Sequence, residues 1–82
     1  MKEKKQSLTT LSGGAYRYTL VAVTAGKETT YSISATDGKT VRAYLENFTD
    51  NECLAEAYLT LLAHNAVDPL QMRDVWEDML AI

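Results

Sequence analysis

Apolar and polar residues alternate cleanly from Thr29 to Thr36, with Tyr31, Ile33 and Ala35 on one side and Thr30, Ser32, Ser34 and Thr36 on the other. That is the period of a half-buried strand. Tyr16 to Ala25 is rich in β-branched and aromatic residues and predicts the strand before it. Gly26-Lys27 between them suits a two-residue turn with Gly first, which pairs Ala22 with Tyr31, Leu20 with Ile33 and Tyr18 with Ala35. A third strand through Val41, Ala43 and Leu45 follows. A three-residue loop, Thr36-Asp37-Gly38, would set Ile33 opposite Val41 and Tyr31 opposite Ala43, keeping the charge of Arg42 out of the core.

From Phe48 to Leu80 the period changes to three and four, which predicts two amphipathic helices. Thr49 to Glu52 reads as a capping box that opens the first helix, with Phe48 and Cys53 at the staple positions. Its apolar stripe runs through Leu54, Ala57, Tyr58, Leu61 and Leu62. Ala55, Leu59 and Ala66 widen it enough to require both a sheet and a second helix as neighbours. Asn65 is the expected left-handed terminator, with His64 suiting the negative end of the helix dipole. In the second helix Asp68 caps, Pro69 fills the first position and Gln71 closes another capping box. Met72, Val75, Trp76, Met79 and Leu80 form its buried face.

The expected architecture is therefore α+β: a three-stranded antiparallel β-meander packed on one face by a C-terminal αα-hairpin. Residues 1–14 carry mixed charge, Ser, Thr and Gly13-Gly14 without periodicity, and read as a flexible N-terminal arm; residues 15–82 form one βββαα domain. The expected core holds Leu20, Ile33, Val41, Leu54, Tyr58, Leu61, Leu62, Val75, Trp76 and Met79.

Composition changes this picture mainly by exclusion. At 82 residues the chain buries only about 60% of its unfolded surface, and a hydrophobic fraction of 46% marks it as globular. One Cys and one His leave no disulfide and no zinc-ligand spacing. No apolar run approaches the roughly 20 residues that span a bilayer, so no membrane association is expected and the cytoplasm is the default compartment. Charge is uneven. Residues 1–45 hold seven Lys and Arg against Glu3, Glu28 and Asp37, net +4, whereas residues 46–82 hold eight acids against Arg73, net −7. An acidic helical hairpin is a poor phosphate binder, so direct nucleic-acid binding is not expected.

Each candidate for chemistry has a plainer reading. Asp74, Glu77 and Asp78 could hold a cation or act as acid and base, but they come without a partner His or a glycine-rich loop. His64 has no nucleophile motif to serve, Cys53 fills a staple position, and Gly13-Gly14 lacks the Lys-Ser/Thr of a phosphate loop. No catalytic, cofactor-binding or metal-binding residue is assigned, and no enzyme activity or cofactor is expected. Leu70 stands apart. It falls on the polar side of the second helix among Asp74, Glu77 and Asp78, and these four make the candidate protein-binding surface for a basic partner. The open sheet face, with Arg17, Arg42 and Tyr44, is the competing site, suited to an acidic partner or to a homodimer through an edge strand.

Val67 to Leu80 resembles the C-terminal signature of a small uncharacterised bacterial domain family of Gram-positive anaerobes: Pro, apolar, x, Leu, x, Asp-Val, x, Glu-Asp, apolar, Leu. Tyr31-Ser32-Ile33 and Asn47-Phe48-Thr49-Asp50 are similar to its strand and helix-entry motifs. Trp76 and Gln71 depart from it, standing where the pattern has a smaller aliphatic residue and often His. The resemblance implies the same fold and assigns no activity. The sequence thus leaves two expectations for function. The first is a small non-enzymatic regulatory or interaction domain that binds another protein. The alternative is an acidic phage or mobile-element inhibitor that mimics nucleic acid and blocks a host nuclease, as anti-CRISPR proteins do.

Overall fold

The structure, a computed structural model, describes residues 3–81. Four strands run in the order β1 (Glu3–Gly13), β2 (Tyr16–Ala25), β3 (Glu28–Asp37) and β4 (Thr40–Thr49), forming one antiparallel sheet in sequence order. Helix α1 (Glu52–His64), a 3₁₀ turn (Pro69–Gln71) and helix α2 (Met72–Leu80) follow. The fold is α+β with two C-terminal helices as expected, but the sheet has four strands rather than three. The stretch expected as an arm forms β1; of that arm, Met1 and Lys2 lie outside the described residues.

Three hairpin turns share one spelling. Gly14-Ala15, Gly26-Lys27 and Gly38-Lys39 recur every 12 residues, and the glycines sit at φ 60, 65 and 64°. A two-residue turn whose strands keep their right-handed twist needs a left-handed first residue, which glycine adopts without strain. Gly13 is required for another reason: a Cβ there would overlap the Ala63 carbonyl, so its absence lets the end of β1 meet the end of α1.

The β2–β3 register is the expected one, with Ala22 opposite Tyr31, Leu20 opposite Ile33 and Tyr18 opposite Ala35. The β3–β4 register is not. The turn is Gly38-Lys39, so Thr36 faces Val41, and a bulge at Arg42 then restores Ala43 opposite Ala35 and Leu45 opposite Ile33. Val41 consequently leaves the expected core and is 61% exposed. A second irregularity sets Glu46, Asn47 and Phe48 against the single residue Ser32, with Asn47 left-handed at φ 48°. The Asn47 N–H donates to Ser32 Oγ at 2.8 Å, and the Thr30 hydroxyl donates to Asn47 Oδ1 at 2.7 Å. The first bond, with a longer one at 3.5 Å that the Ser32 hydroxyl donates to Asn47 Oδ1, satisfies Ser32, which is fully buried. The extra length lets Phe48 reach the helices, with its ring 5.2 Å from Tyr58 and 4.8 Å from Trp76.

The core lies between the inner sheet face (Tyr18, Leu20, Ile33, Ala35, Leu45) and the helical layer (Ala55, Tyr58, Leu59, Leu62, Met72, Trp76). α1 crosses chiefly β1 and β2, whereas the 3₁₀ turn and α2 lie over β4. Two tyrosines fix the connection between the helices: Tyr18 donates to the Val67 carbonyl at 2.6 Å and Tyr58 to the Met72 carbonyl at 2.5 Å.

The helix ends differ in detail from the expected caps. Asn51 caps α1, accepting from the Leu54 amide at 3.0 Å, while Thr49 accepts from the Asn51 amide instead of closing a box with Glu52. Cys53 is exposed, so no staple forms on it. At the other end Ala66, not Asn65, is left-handed at φ 46°. Val67 N–H reaches Leu62 O and Ala66 N–H reaches Ala63 O, the paired bonds of a Schellman ending. Asp68 does cap the next turn, accepting from the Leu70 amide at 2.9 Å, with Pro69 just inside it.

Candidate functional site

The four residues expected to bind a partner are all exposed, and Leu70 is the most exposed large apolar side chain among the described residues at 86%. Asp74, Glu77 and Asp78 follow one another at helical spacing along α2 and form one acidic row. The row and the leucine do not share a cavity. Leu70 sits on the 3₁₀ turn beside β4 and rims a cleft of about 300 Å³ lined by Tyr16, Asp37, Arg42, Asp68 and Pro69. Asp78 rims a second, larger depression on another side of α2.

The bulged residue Arg42 supplies one wall of the first cleft. That residue, expected on the open sheet face, lies at the end of the sheet beside the 3₁₀ turn, 3.6 Å from Asp37. Both partners are about half exposed, so the ion pair orients Arg42 more than it stabilises the fold.

The second depression lies between the helices. Its volume is about 480 Å³ and its walls are Ala57 and Leu61 from α1 with Val75, Met79 and Asp78 from α2. The helices touch where Tyr58 meets Trp76, ring centroids 5.0 Å apart, and leave an open depression beside that contact. Leu61 was expected in the core and is instead 37% exposed, because α1 turns Ala55, Tyr58, Leu59 and Leu62 to the sheet. Leu80, expected on the buried face, is 55% exposed. The signal for this groove was the width of the α1 stripe: one sheet covers part of it, and α2 covers it only around Tyr58.

The open sheet face is partly covered. Val23 is 3% exposed there, and Lys5 Nζ stands 5.7 Å from the Tyr44 ring centroid. Burial pushes the Tyr58 hydroxyl well above its ordinary pKa, and burial raises that of Tyr18 as well. Both hydroxyls are structural donors to backbone carbonyls. Cys53 and His64 stand exposed at opposite ends of α1, and among the described residues no three His, Cys, Asp or Glu side chains gather closely enough to hold a metal. No helix of the described residues is long and apolar enough to cross a membrane.

The chain is thus an α+β protein built from a four-stranded meander under a splayed helical pair. No protein-family model, curated protein or solved structure matches it.

Proposed function

We propose that this is a small non-enzymatic, cytoplasmic interaction domain that works by binding a basic partner protein through its helical layer. The observation that carries the reading is Leu70, 86% exposed on a capped turn that leads into the acidic row of Asp74, Glu77 and Asp78. An apolar anchor held by a rigid backbone costs a partner little ordering entropy, and the acids steer a basic surface and fix its register. The helices offer Glu52, Glu56, Asp74, Glu77 and Asp78 against one cation, Arg73. The resemblance of the Val67–Leu80 segment to a bacterial domain family supports a bacterial origin and adds no activity.

The competing reading, an acidic mimic of nucleic acid, draws on the same charge but has no use for an exposed leucine. The test is capture of partner from host lysate by the wild-type chain and by Asp74→Lys with Asp78→Lys. Loss of partner with an unchanged circular-dichroism spectrum is the expected result. A partner kept by the double variant moves the interface to the sheet face. A complex that dissolves steeply between about 50 and 200 mM salt favours the mimic.

A further inference from the structure

The groove between α1 and α2 has features that restrict what can fill it. Its walls are almost entirely apolar, from Ala57, Leu61, Val75 and Met79, and its charged rim residue is Asp78. The backbone on both sides is helical, so the groove presents no free N–H or C=O edge with which an extended strand could pair. A helix, whose backbone hydrogen bonds are satisfied within itself, meets that condition and lays an apolar face into such a groove. The charges nearby choose its flanks. α1 and α2 are acidic, so a helix edged by lysine or arginine gains on docking, whereas one edged by acids meets like charge.

The same rule argues against a second copy of this chain. Its own helices are the acidic ones, and a two-fold pairing would set acidic row against acidic row. A lipid surface is excluded on the same ground, because anionic headgroups repel this face. A small molecule would need several convergent polar groups, and the groove wall offers Asp78.

The geometry points to the α1–α2 groove as the seat of an amphipathic helix from a partner protein, with apolar residues at i and i+4 inserted between Leu61 and Met79 and basic residues beside Asp78. This goes beyond the proposed function, whose anchor Leu70 borders the other cleft, and rests on it only for the basic character of the partner.

The test uses the full chain and two synthetic, fluorescein-labelled helical peptides of about 18 residues, roughly five turns. Both carry the same leucine face; one is flanked by lysines and the other by glutamates. Fluorescence anisotropy should show the lysine peptide binding about tenfold or more tighter than the glutamate peptide. Leu61→Glu, at a position 37% exposed, and Ala57→Glu, at an exposed one, should each weaken the lysine peptide by about tenfold or more while the circular-dichroism spectrum stays that of the folded chain. Each variant adds an acid, so a purely electrostatic contact would tighten and a groove contact must weaken. Equal or tighter binding by the two variants overturns the groove and leaves the acidic-face reading standing. No binding by either peptide overturns the groove too, whereas the proposed function fails by a separate result, retention of the natural partner by Asp74→Lys with Asp78→Lys or its steep loss with salt. A wild-type dimer in sedimentation that Leu61→Glu disperses would show that a second copy covers the face, and that also overturns the proposal.

Discussion

The hairpins β2–β3 and β3–β4 share a strand and use the same Gly-Lys turn, yet only the first runs straight. β2 and β3 pair without interruption over ten residues, whereas β4 bulges at Arg42 and again at Asn47. The difference lies in what each strand must do beyond pairing. β3 has strands on both sides, and an unbroken alternation serves both. β4 is the edge from which the chain leaves for the helices, and its irregularities aim particular side chains. The first bulge places Arg42 at the cleft under Leu70, and the second delivers Phe48 to Tyr58 and Trp76. Turn type therefore fixes where a hairpin begins, and the demands at the far end of the strand fix whether its register is kept.

Substitution at paired positions gives the widest separation between the two hairpins. Ile33→Ala, in the regular strand and fully buried, should cost about 2–5 kcal/mol in urea denaturation. Val41→Ala should stay within about 0.5 kcal/mol, because the Arg42 bulge turns it outward. Comparable losses at both positions would restore the register in which Ile33 faces Val41.

The second bulge can be broken by itself. Ser32→Ala removes the acceptor of the Asn47 N–H and leaves a part-buried donor unpaired, at a cost of about 1–3 kcal/mol. Ser34→Ala, one pair along the same face of β3, has no such partner and should be close to neutral. Equal urea midpoints for the two variants would mean that the bulge does not depend on Ser32.

These pairs also show what the sequence makes legible. The β2–β3 register, the α+β class, the Asp68 cap and the exposure of Leu70, Asp74, Glu77 and Asp78 follow from local alternation, helical spacing and capping chemistry. β1 is hidden from a search for alternation because it is an edge strand whose residues Glu3 to Thr10 are all exposed. Its signature is the Gly-x turn at Gly14, 12 residues before Gly26 and 24 before Gly38, a regularity of turns rather than of strands. The bulges of β4 stay hidden for another reason: a buried serine paired to a distant asparagine amide leaves no pattern of spacing. The site is legible only as a set of exposed residues. That Leu70 and Asp78 border different cavities depends on how α2 sits against α1 and β4, which no local rule specifies.

Where β4 hands the chain to the helices, Tyr58 is the meeting point, and its ionisation tests that junction. Burial raises the pKa of its hydroxyl, so above pH about 10 the unfolded chain ionises while the folded one keeps its proton. Stability is therefore intact below that pH and falls as pH rises beyond it. Tyr18, also raised, adds to the same slope. Tyr58→Phe should cost about 1 kcal/mol at neutral pH by losing the bond to the Met72 carbonyl, and should flatten the alkaline decline in urea midpoint. An unaltered decline would mean that Tyr58 ionises as freely in the folded chain as in the unfolded one.

The smallest effect has the opposite sign. Among the described non-glycine residues two have positive φ, Asn47 in the second bulge and Ala66 after α1. Both meet the steric cost of the left-handed region, but only Asn47 offsets it, through the Thr30 hydroxyl that donates to its side chain. Ala66 makes its Schellman bond through the backbone N–H, which glycine would keep, and its side chain is exposed. Ala66→Gly should therefore stabilise the protein by roughly 0.5 kcal/mol, the relieved strain exceeding the added freedom of the unfolded chain. Asn47→Gly relieves similar strain but loses the Thr30 bond, so it should gain less or lose slightly. Thermal melts of the two variants measure the difference directly. If Asn47→Gly raises the midpoint as much as Ala66→Gly does, the asparagine side chain contributes nothing to the bulge, and its irregularity rests on Ser32 alone.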